Sequence, residues 1–244
     1  MATRAIGEST RRDITETLWP PAAVKEDGLP PLLIMLTIVT GVVDALAYLR
    51  LGHVFVANMT GNVVFLGFAA AGAGGLSAPG SLLALAFFLC GSIAAGRLAG
   101  RLGDDRRHGL RVAVTVELVL STMAVAVAAF AGQHLGTGSG YVLIVLLALA
   151  MGVQNATARG LAVADLTTTV LTLTLTGIAA DSWLGGASGA RTARRVLAVV
   201  AMLLGAILGA LLLLQLAPVA PLVLAVALLT LVAIAARPRT PRRD

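Results

Sequence analysis

From Val196 to Ala236 the chain carries no charged side chain. A run of that length is roughly twice the ~20 residues that one bilayer crossing takes. Pro218 and Pro221 fall in its middle and supply a turn, so the run reads as two apolar helices joined back to back. A soluble fold would have to bury both on every side. The rest of the chain has the same character. It is 58% hydrophobic and 12% charged, against about 45–50% and 25% in soluble domains. These features predict an all-α, polytopic membrane helix bundle.

Apolar segments occur near 31–50, 54–76, 81–100, 110–131, 140–158, 163–181, 195–216 and 218–236. Breaks rich in Gly, Ser or Pro separate them, at Ala71–Ser81, Gly132–Gly140, Gly185–Gly189 and the Pro218/Pro221 turn. The organisation is therefore a polar N-terminal tail (1–30), a first membrane unit (31–131), a second (140–236) and a basic C-terminal tail (237–244). The tail at 1–30 has no apolar core of the kind a signal peptide needs.

The two units share a polar pattern. Aligning Gly41 with Gly152 places Asp44 over Asn155, beside Gln154. After a deletion in the second copy, Asn58-Met59-Thr60-Gly61-Asn62-Val63 falls on Asp165-Leu166-Thr167-Thr168-Thr169-Val170. Gly96-x-x-x-Gly100 falls on Gly205-x-x-x-Gly209, and small residues four apart let helices approach closely in lipid. A duplicated polar cluster inside apolar segments predicts two half-units that build one site where they meet.

Arginine marks the loops. Arg97, Arg101, Arg106, Arg107 and Arg111 cluster between the third and fourth segments, whereas 71–81 and 132–140 carry no Lys or Arg. By the positive-inside rule the first loop is cytoplasmic and the other two are external. Arg159, then Arg191, Arg194 and Arg195, place the ends of segments five and seven inside. Arg4, Arg11, Arg12 and Lys25 place the N-terminus there, and Arg237, Arg239, Arg242 and Arg243 the C-terminus. Eight simple crossings contradict this pattern. Six full spans satisfy it, with the polar segments 54–76 and 163–181 short or broken. Eight spans with exceptions to the rule is the alternative.

Asp44 lies deep in the first segment, where an unpaired carboxylate costs at least about 2.5–3.5 kcal/mol. It is the leading candidate to carry a proton or cation, or else it braces the broken second segment. The candidate solute- or ion-binding set is Asp44, Asn58, Thr60, Gly61, Asn62, Gln154, Asn155, Asp165, Thr167, Thr168 and Thr169, expected to converge near the bilayer midplane. Taken singly, these Thr hydroxyls read as bonding their own i−4 carbonyls, with Asp165 as a helix N-cap. Gly96, Gly100, Gly205 and Gly209 are expected to pack helices. Glu117, six residues past Arg111, ranks below Asp44 because it reads as lying near the membrane surface.

Other chemistries have little support. The three histidines have unrelated spacings, so no metal site is expected, and no cofactor motif is present. No nucleophile stands beside a base, so catalysis is not expected, with an intramembrane enzyme as a remote alternative. The basic balance of +6 sits beside apolar segments and speaks for topology rather than nucleic acid. Cys90 is the single cysteine, so no internal disulfide forms.

Gly41-Val-Val-Asp44-Ala, Val56-Ala-Asn58-Met-Thr60-Gly61-Asn62, Gly152-Val-Gln154-Asn155-Ala and Asp165-Leu-Thr167-Thr168-Thr169-Val resemble, in order and spacing, the YoaK-like family of bacterial integral membrane proteins. The resemblance covers about residues 30–236. That family is classed as a domain of unknown function. The resemblance implies a multi-pass protein of the bacterial inner membrane and assigns no activity or site residue. The functional expectation is a secondary transporter or channel-like permease for a small polar solute or ion. A non-transporting scaffold or partner-binding subunit is the alternative. Partners are the lipid bilayer and the unidentified solute, with homo-oligomerisation left open.

Overall fold

The computed structural model describes residues 28–103, 105–133, 135–163, 171–180 and 192–237. Among them every regular element is an α-helix: α1 (Leu29–Arg50), α2 (Met59–Ala70), α3 (Ala78–Leu102), α4 (Arg106–Ala131), α5 (Thr137–Leu161), α6 (Leu171–Ala180), α7 (Thr192–Gln215) and α8 (Val219–Ala235). All eight apolar segments contain a helix. Six have bounds within about four residues of those expected, while α2 fills only the middle of 54–76 and α6 only 171–180 of 163–181, of which 164–170 and 181 lie outside the described residues. Local chemistry sets several ends. Prolines open α1 and α3, the Ser77 hydroxyl accepts the Gly80 N–H at 3.1 Å, and Asp105 caps α4 through the His108 N–H at 3.0 Å. Gly103 and Gly132 close α3 and α4 with φ of 72° and 65°, a conformation that favours glycine.

Five of these helices (α1, α3, α4, α5 and most of α7) are long and apolar enough to cross a membrane. The 22 residues of α1 extend about 33 Å, matching a hydrocarbon core about 30 Å thick. At 17 residues α8 is at the lower limit, and the 12 residues of α2 reach about 18 Å, roughly half the core.

Helices α1 and α5 form the centre. Of their most apolar stretches 72% and 61% is buried, against 17% for α3. Around them, α7 and α8 pack on α1, while α3 and α4 pack on α5. Helix α4 also packs on α8, α2 on α3, and α6 on α7. Leu82, Leu89 and Ile93 of α3, Val119 and Met123 of α4, and Leu203, Leu211 and Leu214 of α7 stay exposed. Large apolar side chains facing outwards all round, with no charge among them, suit lipid as the surrounding medium.

Glycine makes the two tightest helix pairs. A Cβ at Gly205 would overlap the Ile38 carbonyl of α1, and one at Gly209 would come within 2.7 Å of the Val42 carbonyl. From the other side, Gly41 meets the α7 backbone at Ala206. In the α3–α5 pair the same is true of Gly91 against Leu149 and Gly152 against Phe88. The expectation therefore holds for Gly205 and Gly209 and needs correction for Gly96 and Gly100. A Cβ at either would meet nothing within 4 Å. Helix α3 is apolar on all sides, so its GxxxG pattern does not reveal which side is packed, and Gly91 occupies the contact instead.

Hydrogen bonds sort the helix ends into two faces. At one, the Arg50 guanidinium donates to the Gln133 carbonyl (2.8 Å) and the Gln133 amide to the Leu216 carbonyl (3.4 Å). The Ser77 N–H donates to the Gly52 carbonyl (3.3 Å) at the junctions of α1 with α2 and of α2 with α3. At the other, Arg106 donates to the Leu161 carbonyl and Arg107 to the Arg237 carbonyl (3.2 Å).

The glycine contacts predict that Gly205→Ala lowers stability by about 1–3 kcal/mol, because the obstacle is backbone that cannot rotate away. Gly96→Ala should leave stability unchanged or raise it by up to about 1 kcal/mol through helix propensity. Thermal unfolding of the detergent-solubilised protein measures both.

Candidate functional site

The chain leaving α1 does not continue as helix. It is non-helical from Val54 to Asn58 and bends at Val56 and Ala57, and Val54, Val56 and Ala57 are buried although they lack a helix's internal hydrogen bonds. Buried backbone N–H groups need partners. Asp44 supplies them: one carboxylate oxygen accepts from Val56 N (2.8 Å) and Ala57 N (2.9 Å), and the other from the Asn58 side-chain amide (2.5 Å). Asn62, one turn into α2, completes the bracket. Its Oδ1 accepts from Phe55 N (2.9 Å) and its Nδ2 donates to Phe55 O (2.6 Å), so one amide satisfies both backbone groups of one residue.

Gly61 has a spatial role here, since a Cβ would strike the Phe55 ring at 2.6 Å. That ring stacks between Tyr48 and Phe65, with centroids 5.1 and 5.8 Å away. Thr60 is exposed at the start of α2 and takes no part.

The second cluster is only partly described. Gln154 is buried and donates from Nε2 to Thr40 Oγ1 (2.7 Å), tying α5 to α1, while Thr40 donates to the Leu36 carbonyl (3.0 Å). Asn155 donates to the Met151 carbonyl (2.8 Å) one turn back. Asp165, Thr167, Thr168 and Thr169 lie outside the described residues. Gln154 reaches α1 at Thr40, and Asp44 lies a turn further along, towards the Arg50 end. The two central helices run antiparallel, so Asp44 and its aligned partner Asn155 diverge from this crossing in opposite directions. Asp44 takes its hydrogen bonds from the chain beside it, and none comes from Asn155.

A different carboxyl stands without partners. Glu117 has no exposed surface, and neither of its oxygens has a hydrogen-bond partner. Ser121, one turn on along the same buried side of α4, has an unpaired hydroxyl and no exposed surface, and Gln154 Oε1 is also buried and unpaired. Glu117 sits near the middle of a 26-residue helix rather than close to a membrane surface, which corrects its low ranking. The sequence held the signal: Arg106 begins α4, and a helix long enough to span puts Glu117 about 17 Å from that end.

A cavity of about 610 Å³ lies between the ends of α3, α4 and α5, lined by small residues with Asp105 and Arg106 among them. Gly96 lines it, which explains why it meets no neighbour. Among the described residues no group of three or more His, Cys, Asp or Glu is placed to hold a metal ion.

Residues 32–235, from α1 to the end of α8, match the model of a family described as "Protein of unknown function (DUF1275)". The chain belongs to the DUF1275 family. It is also 47% identical over 70 residues to a protein named "UPF0700 transmembrane protein YoaK" from Bacillus subtilis (strain 168). That match covers 29% of this chain and 31% of the relative's length. No solved structure matches. Family membership and the transmembrane relative agree with the apolar helices: this DUF1275 chain is a membrane protein.

The bracket predicts that Asp44→Ala destabilises the protein by about 2–4 kcal/mol, because two buried N–H groups lose their acceptor. Asn62→Ala should cost about 1–3 kcal/mol for the same reason. Thr60→Ala, on the exposed side, should fall within about 0.5 kcal/mol. Denaturant unfolding in detergent ranks the three.

Proposed function

We propose that this DUF1275 protein is a secondary transporter or channel-like permease for a small polar solute or ion. In this reading it is built from two inverted half-units in the bacterial inner membrane. The observation that carries the reading is the bond from Ser77 N to Gly52 O. It brings the two ends of the segment holding α2 together, so that segment leaves a face and returns to the same face. Non-helical backbone at membrane depth is tolerated only where protein or water covers it. Here Asp44 and Asn62 cover it. Short or broken helices at matching places in two half-units are typical of secondary transporters.

The packing supports a repeat of 31–131 and 140–236. Exchanging α1 with α5, α2 with α6, α3 with α7 and α4 with α8 turns the set of packed helix pairs into itself. The glycine contacts correspond as well. Gly205 on Ile38 is matched by Gly91 on Leu149, and Gly41 on Met202 by Gly152 on Phe88. These matches replace the Gly96–Gly205 alignment with Gly91–Gly205. Six helices then cross, α2 and α6 do not, and an odd number of crossings per half inverts the second half. In this reading α1 begins and α8 ends on the face of Arg106 and Arg107, which the positive-inside rule makes cytoplasmic.

A scaffold is the second reading. The polar atoms of Asp44 and Asn62 are engaged with the chain itself, which favours it. Solute flux separates the two. In proteoliposomes the transporter admits a solute or ion from a screened panel above protein-free vesicles, and the scaffold admits none. In a Cys90→Ser background, cysteines at Ala73 and Gly138 should react with an impermeant reagent from outside intact cells, and one at His108 should not. External labelling at His108 would overturn the topology.

A further inference from the structure

The cavity between α3, α4 and α5 reaches Ala113, four residues before Glu117 on α4. Its inner end is formed by Ala95, Ala113 and Ala156, which pack with Val153 in a small apolar cluster separate from the main core. Its outer part carries Asp105, which is exposed, and Arg106. Ala113 lies one turn before Glu117 on α4, about 6 Å along the axis. The lining of a space that would hold many waters thus reaches to within one helical turn of a carboxyl that has no partner.

No charge in the bundle answers that carboxyl. Helix α8 has no titratable residue from Val219 to Ala235. Helix α5 has Tyr141 near its start and Arg159 near its end; α3 has Cys90, Arg97 and Arg101. On α4 itself Arg106, Arg107, His108 and Arg111 cluster at the cavity end, with Asp105 at its cap. None of them bonds either Glu117 oxygen. An ionised group at membrane depth needs a counter-charge or water. One positive charge balances the carboxylate, and the Ser121 hydroxyl can coordinate that charge or donate to the carboxylate.

We propose that Glu117, with Ser121, binds a single positive charge, a proton or an alkali cation, which enters from the α3–α4–α5 cavity past Ala95 and Ala113. Coupling of that charge to flux rests on the transport reading above; the binding does not.

Infrared difference spectra and thermal unfolding of the full chain decide it, in liposomes of phosphatidylethanolamine and phosphatidylglycerol. The bath is choline chloride, NaCl or KCl at equal ionic strength over a pH series. A proton site gives a carboxylic-acid C=O band that titrates with pH irrespective of salt, is lost in Glu117→Gln and moves in Glu117→Asp. An alkali site gives a higher unfolding temperature in NaCl or KCl than in choline chloride, and Glu117→Gln loses this difference. The inference is overturned if the wild type gives neither signal, or if the signal survives in Glu117→Gln unchanged. Should Glu117→Gln fail to fold, a band that does not move in Glu117→Asp, or a salt effect equal to wild type in that variant, overturns it. The two readings fail separately. A Glu117 signal without flux removes the transporter, and flux without a Glu117 signal removes this site.

Discussion

Asp44 holds the first half of this protein in its shape. A chain that turns back inside a membrane exposes N–H groups that lipid cannot satisfy. One buried carboxylate, rooted in the most enclosed helix, accepts two of them and an amide besides. This fixes where the connection turns, where α2 starts, and why α2 is half a membrane long. It also lets Gly52 and Ser77 meet.

Close approach is the second constraint. Helices gain no hydrophobic drive from leaving lipid for one another, so contact area and short distances hold them together. Gly41 with Gly205 and Gly91 with Gly152 let backbones touch where a methyl group would hold them apart. The polar tie from Gln154 to Thr40 crosses between the two central helices near this level. The centre is thus joined by the Gln154 amide, which donates to Thr40 Oγ1 and to the Leu36 carbonyl, and by packing, while the outer helices present apolar faces to the surroundings.

Much of the fold was legible because lipid imposes a coarse code. Among the described residues, charge-free runs became helices, the breaks after α2, α4 and α7 became connections, and Arg106, Arg107 and Arg237 gathered at one set of helix ends. The motif Asn58–Asn62 stood out in the sequence, yet half of its meaning was hidden. The sequence says that Asp44, Asn58 and Asn62 are polar at depth; only the structure says that their partners are Val56, Ala57 and Phe55 in the next connection. Helix side was equally hidden. In an apolar helix exposed to lipid no polar face marks the outside, so Gly96 and Gly100 looked like packing residues while Gly91 did that work. Glu117 was undervalued because its depth was counted from Arg111. An arginine inside a helix can reach back towards the surface along its own stem, so the first residue of the helix gives the depth, and Arg111 does not.

The two membrane-depth carboxylates draw the contrast on which function turns. Asp44 has three donors within hydrogen-bond distance, fixed in place by the fold they create. A charge already held by two backbone N–H groups and a side-chain amide has little capacity left for a ligand, and removing it would expose the groups it holds. Glu117 has the same chemistry and equal concealment, with no donor at all. Evolutionarily neutral core positions tolerate apolar residues, and a leucine there would fold without this liability. A group that costs stability and bonds nothing inside the chain finds its partner from outside it. The nearby cavity, whose lining reaches Ala113 one turn from Glu117, is the route we propose for that partner.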